Sequence, residues 1–223
     1  MKRRLEPERL DHLPADDPAA IASRRDLVRI NFVMGQSAIL ARALRCFAQP
    51  RVLLDLGGGD GRALLALARR LPWRRMRAVI ADRQDIVATK TRDGFAALGW
   101  DCTVRQGDVF DAVADLEDGT LATANLFLHH LDDAALAQLF AALSANAMGL
   151  AACEPRRGSL ALAASHLVFT LGANAVSRHD AVASVRAGFA GRELSALWPE
   201  GWELNERRVL PFSHLFVAAR HAL

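Results

Sequence analysis

The chain has 223 residues, 52% hydrophobic and 24% charged, which suits one globular domain with a sizeable core and excludes disordered and fibrous classes. The net charge is only +3, carried almost wholly by arginine; the basic clusters Lys2-Arg3-Arg4, Arg74-Arg75 and Arg156-Arg157 are short and separate, and aromatic residues make up 6%, so a continuous basic face with stacking aromatics is not expected. Cys46, Cys102 and Cys153 lack the paired spacing of a zinc site or a disulfide framework and read as reduced thiols of a cytoplasmic protein.

In chain order, the segment to Pro14 is polar and expected to be loose. No apolar run follows Met1-Lys2-Arg3-Arg4, so no signal peptide is expected. Asp16-Asp17-Pro18 marks a helix start, an acidic cap with proline in the first turn, and Ile21, Leu27, Val28, Ile30 and Met34 give that helix an apolar side. Gly35 permits a break before a second helix, Ser37 to Phe47, ended by Pro50. The pair is either a packing flange or a cover for a ligand pocket.

The stretch Arg51-Val52-Leu53-Leu54-Asp55-Leu56-Gly57-Gly58-Gly59-Asp60-Gly61-Arg62 organises the rest. An apolar run reads as a buried strand, the glycines stop it, and Leu64, Leu67, Ala68 and Leu71 then fall on one helical face. Glycines between strand and helix let a ligand lie against bare backbone at the positive end of a helix. A dinucleotide fingerprint would want a third glycine at Arg62 or Leu64, and a phosphate loop would need Gly-Lys-Ser or Gly-Lys-Thr; neither is present. What remains, Asp55-x-Gly57-x-Gly59-x-Gly61, resembles motif I of the class I S-adenosylmethionine-dependent methyltransferases. The resemblance implies that Gly57, Gly59 and Gly61 cradle the methionine part of the cofactor S-adenosyl-L-methionine, with Asp55 helping to hold its amino group. It also implies a Rossmann-like α/β fold, a seven-stranded mainly parallel sheet with helices on both faces.

A second strand, Met76 to Ala81, ends at Asp82, where the resemblance puts the carboxylate that accepts from both ribose hydroxyls; the plain alternative is a cap on a following helix, Gln84 to Leu98. A third strand, Asp101 to Gln106, leads to Asp108 and Val109, which match the positions that take the adenine amino group and a ring nitrogen, with Asp111 left open. Three acidic residues at successive strand ends fall where open α/β sheets bind ligands. The fourth strand, Leu121 to Leu128, runs into His129-His130, ahead of a helix capped by Asp132 and Asp133. Class I enzymes acting on small molecules often carry Leu-His-His here, beside the transferring methyl; if the strand continued, only one of the two imidazoles could face the pocket. An Asn-Pro-Pro-Tyr-like sequence, shared by enzymes that methylate adenine or glutamine amides, is absent, and the chain has no tyrosine.

A fifth strand, Gly149 to Cys153, ends in Glu154-Pro155. Beyond it lies more helix than one crossover needs: Leu160 to Leu171, a capped start at Ser177-Arg178-His179-Asp180, Ala181 to Phe189, and Arg192 to Trp198. It is read as a lid and pocket for a flat or lipophilic substrate, with an enlarged core as the plain alternative. Its longest apolar stretch, Leu160 to Val176, is interrupted by Ser165, His166 and Asn174, so no membrane span is expected. Trp202 to Arg208 and Phe212 to Ala219 complete the sheet as an antiparallel hairpin.

The expectation is therefore one methyltransferase domain: an N-terminal helical extension (1–50), a cofactor core (51–153), a helical lid inserted after the fifth strand (154–200) and a C-terminal hairpin (201–223). The implied activity resembles that of bacterial small-molecule methyltransferases of aromatic polyketide or quinone synthesis, and O-methylation of a phenol-like or quinone-like acceptor is favoured. An acceptor hydroxyl needs a base, with His129 or His130 first, then His179, then Glu154. No metal is called for and no ligand cluster shows in the sequence; the expected partner is a small-molecule acceptor, nucleic acid is disfavoured, and a homodimer is left open. The competing readings are a nucleic-acid methyltransferase and a catalytically silent cofactor-binding subunit.

Overall fold

The structure is a computed structural model that describes residues 1–167, 170 and 172–220. Two helices lead the chain, α1 (Pro18–Val33) and α2 (Gln36–Ala43), and a single 3-10 turn (Leu44–Cys46) continues α2. The Asp17 carboxylate accepts from the Ala19 and Ala20 backbone N–H groups, and Gly35 makes the break between the helices in a left-handed conformation.

The sheet has seven strands: β1 (Val52–Leu56), β2 (Arg77–Asp82), β3 (Asp101–Gln106), β4 (Thr120–Asn125), β5 (Gly149–Pro155), β6 (Trp202–Val209) and β7 (Ser213–Arg220), in the order β3-β2-β1-β4-β5-β7-β6. β1 to β5 run parallel, and β7 enters antiparallel between β5 and β6. Between strands lie α3 (Arg62–Ala68), α4 (Thr89–Ala96), α5 (Val109–Ala114) and α6 (Asp133–Asn146), then α7 (Ser159–Ser165) and α8 (Ala175–Ala187) after β5.

Side-chain alternation along the strands feeds two cores. Leu53, Ile80, Leu121 and Cys153 pack under α2 and α3 with Trp73, Phe95 and Trp100. Leu54, Ala81, Ala122 and Phe216 face the other way, against α5 and α6 and the stretch holding Phe189, Leu194 and Trp198. There the rings of Phe140, Trp198 and Phe216 lie 4.9 to 5.7 Å apart, a packing that adds to plain apolar burial.

Several expected boundaries move, each for a local reason. The helix expected from Gln84 begins only at Thr89, because Asp82 and Asp85 carboxylates accept from the backbone N–H groups of Gln84 and Val87 and keep 83–88 out of the helix. Asp82 therefore caps no helix; the N-cap of α4 is Ala88. β4 stops at Asn125 instead of Leu128, since Leu126 turns into the left-handed region (φ 57°) and Leu128–His130 form a 3-10 turn. Helix α5 was not expected at all. The expected helix Arg192 to Trp198 is a series of turns, with Leu194 and Ser195 N–H groups donating to buried Glu206, itself paired to His214 at 2.7 Å. Of the expected helix Leu160 to Leu171, α7 covers 159–165 and residues 168, 169 and 171 lie outside the described residues, as do 221–223 of the hairpin segment. The N-terminal segment is not loose: the Arg3 guanidinium donates to the His129 and Leu131 carbonyls, Arg4 N–H to Arg186 O, and Arg9 and Leu10 N–H groups to Asp180. Its backbone and part of its charge are tied to the body of the protein, while Lys2, Arg4 and Arg9 stay exposed.

Candidate functional site

The carboxyl ends of β1 and β2 carry Asp55 and Asp82, and Asp108 lies two residues beyond the end of β3. The glycine turn folds tightly over them. Gly57 N–H donates to Ala81 O at 2.8 Å, and Gly57 has positive φ (64°) with the Phe127 ring so near that a Cβ would come within 2.1 Å of it. Gly59 N–H donates to Asp82 Oδ2 at 2.9 Å, while a Cβ on Gly59 would meet nothing, so this side of the turn is open. Gly61 is the residue from which α3 starts. Asp108 caps α5 by accepting from Phe110 N–H at 3.1 Å, and Val109 is the first residue of that helix.

Asp55 is 3% exposed and its Oδ1 accepts only from the Thr123 hydroxyl at 2.8 Å. Burial, aided by the nearby Asp82 charge and only partly offset by that hydrogen bond, pushes its carboxyl up to about 7. A cavity of about 130 Å³ adjoins it, lined also by Asn31, Gln36, Arg62 and Asn125. In this cavity Asn31 Oδ1, Asn125 Oδ1 and both amide atoms of Gln36 are buried without a hydrogen-bond partner. A buried carboxyl without a paired cation, beside the unsatisfied oxygens of Asn31 and Asn125, is a set of acceptors that fits an ammonium group, such as that on the methionine part of S-adenosylmethionine. Asp82, with lone pairs beyond those given to Gly59 and Gln84, would hold the ribose, and Asp108 with Val109 the adenine edge.

The histidines stand in a charged array. The 3-10 turn after β4 is pinned by buried Glu154 at the end of β5, whose Oε1 accepts from the N–H groups of Phe127 and Leu128 at 3.0 Å. Glu154 Oε2 pairs with His129 Nδ1 at 2.8 Å, and His129 Nε2 pairs with Glu8 Oε1 at 3.2 Å. Burial opposes charge on His129, but the two carboxylates outweigh it and raise the imidazole to about 9. Glu8 is held well below the usual carboxylate range: burial opposes this, and the hydrogen bond from His129, with the His130 imidazole close by, prevails. His129 is therefore a histidinium occupied at both nitrogens, not a free base at neutral pH. His130 uses Nδ1 on Phe127 O at 3.0 Å, leaving its buried Nε2 3.4 Å from Glu8 Oε2 without a hydrogen bond. Glu8, His129 and His130 thus bring three potential ligand atoms within 4.8 Å of one another, a cluster that the sequence did not display. His179 sits apart on α8, paired with Asp180 at 2.9 Å.

A second, larger cavity of about 290 Å³ lies between α1, α7, α8 and the N-terminal segment. Leu27, Ile30, Val33, Met34, Leu126 and Phe212 give it apolar walls, and its ionisable lining is Glu8 and Asp180, with neither His129 nor His130 on the wall. Gln36 lines both cavities. Glu8 and Gln36 belong to no local pattern in the sequence and matter only through the fold, and Asn125 is legible only as the residue standing where other methyltransferases have an Asn-Pro-Pro-Tyr-like sequence.

The strand order, the open glycine turn and the acidic strand ends define a class I methyltransferase domain. Residues 53–146 match the family described as "Methyltransferase domain". That stretch is a methyltransferase domain of the S-adenosylmethionine-dependent kind, and S-adenosylmethionine is the cofactor such a domain takes. No curated protein matches the sequence. Among solved structures, the plantazolicin methyltransferase BpumL in complex with SAH is similar with TM-score 0.66 at 11% identity, covering 92% of each chain. The pyocyanin biosynthetic protein PhzM has TM-score 0.61 at 19% identity, and an O-methyltransferase family protein from Burkholderia thailandensis 0.61 at 17%. The match covers 92% of this chain in both cases, but only 59% and 61% of those longer proteins. At these identities the likeness concerns the fold. Among the described residues no single helix is long and apolar enough to cross a membrane.

Proposed function

We propose that the protein transfers a methyl group from S-adenosylmethionine to a hydroxyl of a small, flat, largely apolar acceptor. The observation that carries this reading is the larger cavity: apolar walls, Glu8 as an ionised group on them, and the cofactor-side cavity next door across Gln36. When bound, the cofactor supplies an electrophilic methyl on a sulfonium. The chain's own residues do the rest. The lid helices exclude water and align the acceptor, which removes orientational entropy from the barrier. Glu8 accepts the hydrogen bond of the acceptor hydroxyl. As the new carbon–oxygen bond forms, that oxygen becomes oxonium-like and strongly acidic, so even a carboxylate of lowered pKa takes its proton. His129, held between Glu154 and Glu8, is a positioning residue that keeps Glu8 anionic. The three free cysteines fit a reducing, cytoplasmic setting.

The test is titration with S-adenosylhomocysteine, followed by mass-spectrometric assay of methyl transfer to a panel of phenols and hydroxyquinones by the wild type and Glu8→Gln. Binding without any transfer would favour the silent-subunit reading; no binding would remove both.

A further inference from the structure

Gln36 is the first residue of α2, set rigidly by left-handed Gly35, and it is 1% exposed. Its Nε2 and Oε1 are both buried without a partner. Ordinary core glutamines do not persist so, because each orphaned polar atom costs stability. Its position explains the expense: it lines the acceptor cavity and the cofactor-side cavity alike, at the place where methyl donor and acceptor must meet. Around it on the acceptor side stand Ile30, Val33, Met34 and Leu126, which offer no hydrogen bond of their own.

Building on the reading above, we propose that Gln36 selects the acceptor, and that the acceptor class is a flat ring bearing a hydroxyl directly beside a carbonyl. A carboxamide presents one donor and one acceptor side by side. The complementary edge is an oxygen that accepts next to a hydroxyl that donates; the Ser165, Thr170, Ser177 and Ser184 hydroxyls that also line the cavity already donate to protein oxygens, whereas both groups of the Gln36 amide are unspent. A site that leaves a buried amide orphaned rejects ligands lacking the matching group far more strongly than an apolar wall rejects a misfit methylene.

Chromone and 3-hydroxychromone differ by that one hydroxyl and serve as probes, titrated into protein saturated with S-adenosylhomocysteine. The wild type should bind 3-hydroxychromone about tenfold or more tightly than chromone. Gln36→Leu should bind the two alike, keep its affinity for S-adenosylhomocysteine, and melt at a higher temperature than the wild type, because an orphaned amide has been replaced by an apolar group of similar size. Equal binding of the probes by the wild type would overturn the proposal. So would a Gln36→Leu variant that loses S-adenosylhomocysteine affinity, which would assign the amide to the cofactor, or one that melts lower. Failure of the wild type to bind S-adenosylhomocysteine at all would instead sink the methyltransferase reading.

Discussion

Replacing Asp55 by asparagine isolates the electrostatic cost of the buried carboxyl that we propose holds the cofactor's ammonium. The wild-type carboxyl is buried and held at about 7, against 3.8 for an unperturbed aspartate. A carboxyl whose folded-state pKa is raised keeps its proton in the folded chain where the unfolded chain has released it, so stability falls as pH rises from about 4 towards 7. The difference corresponds to on the order of 4 kcal/mol at pH 8, an upper figure because relaxation and water entry reduce it. Asparagine can still accept from the Thr123 hydroxyl and has no charge to bury. Urea unfolding of both proteins at pH 5 and pH 8, without ligand, should show Asp55→Asn gaining on the wild type as pH rises. Taking the difference between the two proteins cancels other titrating groups. The cofactor's ammonium should reverse the penalty: S-adenosylhomocysteine binding to the wild type at pH 6 should release about one proton, measured by calorimetry in buffers of different ionisation enthalpy, and Asp55→Asn should release none. A stability difference that does not change between pH 5 and pH 8 would refute the reasoning.

Glu8→Gln should leave S-adenosylhomocysteine affinity intact and slow methyl transfer by about two to four orders of magnitude, the usual range for loss of a proton acceptor, measured under saturating cofactor. Because His129 is raised to about 9 by its carboxylate partners, its contribution to stability is fully present below the unfolded value of 6.5 and is lost as pH rises through 9. Hydrogen exchange of the N-terminal segment should therefore accelerate above pH 9, and Glu8→Gln should shift that onset downwards. Gly57→Ala forces a side chain into a left-handed position against the Phe127 ring, and should cost at least 1 to 2 kcal/mol, roughly, by thermal melting while abolishing cofactor binding. Asp17→Ala removes the α1 cap and should cost about 1 kcal/mol, with little change in cofactor affinity.

The alternation of strand and helix, the glycine turn after Asp55, the acidic ends at Asp82 and Asp108 and the closing hairpin were all legible in the sequence, because each rests on periodicity or on residues next to one another. Even the caps at Asp17 and Asp132 could be read, since a cap and the N–H groups it serves lie within three residues. Where expectation and structure part, the deciding contact is long-range. β4 ends early because Glu154, 26 residues further on, gathers the N–H groups of Phe127 and Leu128 into a turn. Glu8 meets His129 across 121 residues, and that meeting turns an expected base into a buried cation and brings a polar segment onto the wall of the larger cavity. Local chemistry determined which cofactor the chain is built to hold. Tertiary packing decided which groups line the two cavities, because burial and charge pairing depend on neighbours that the linear order does not place together.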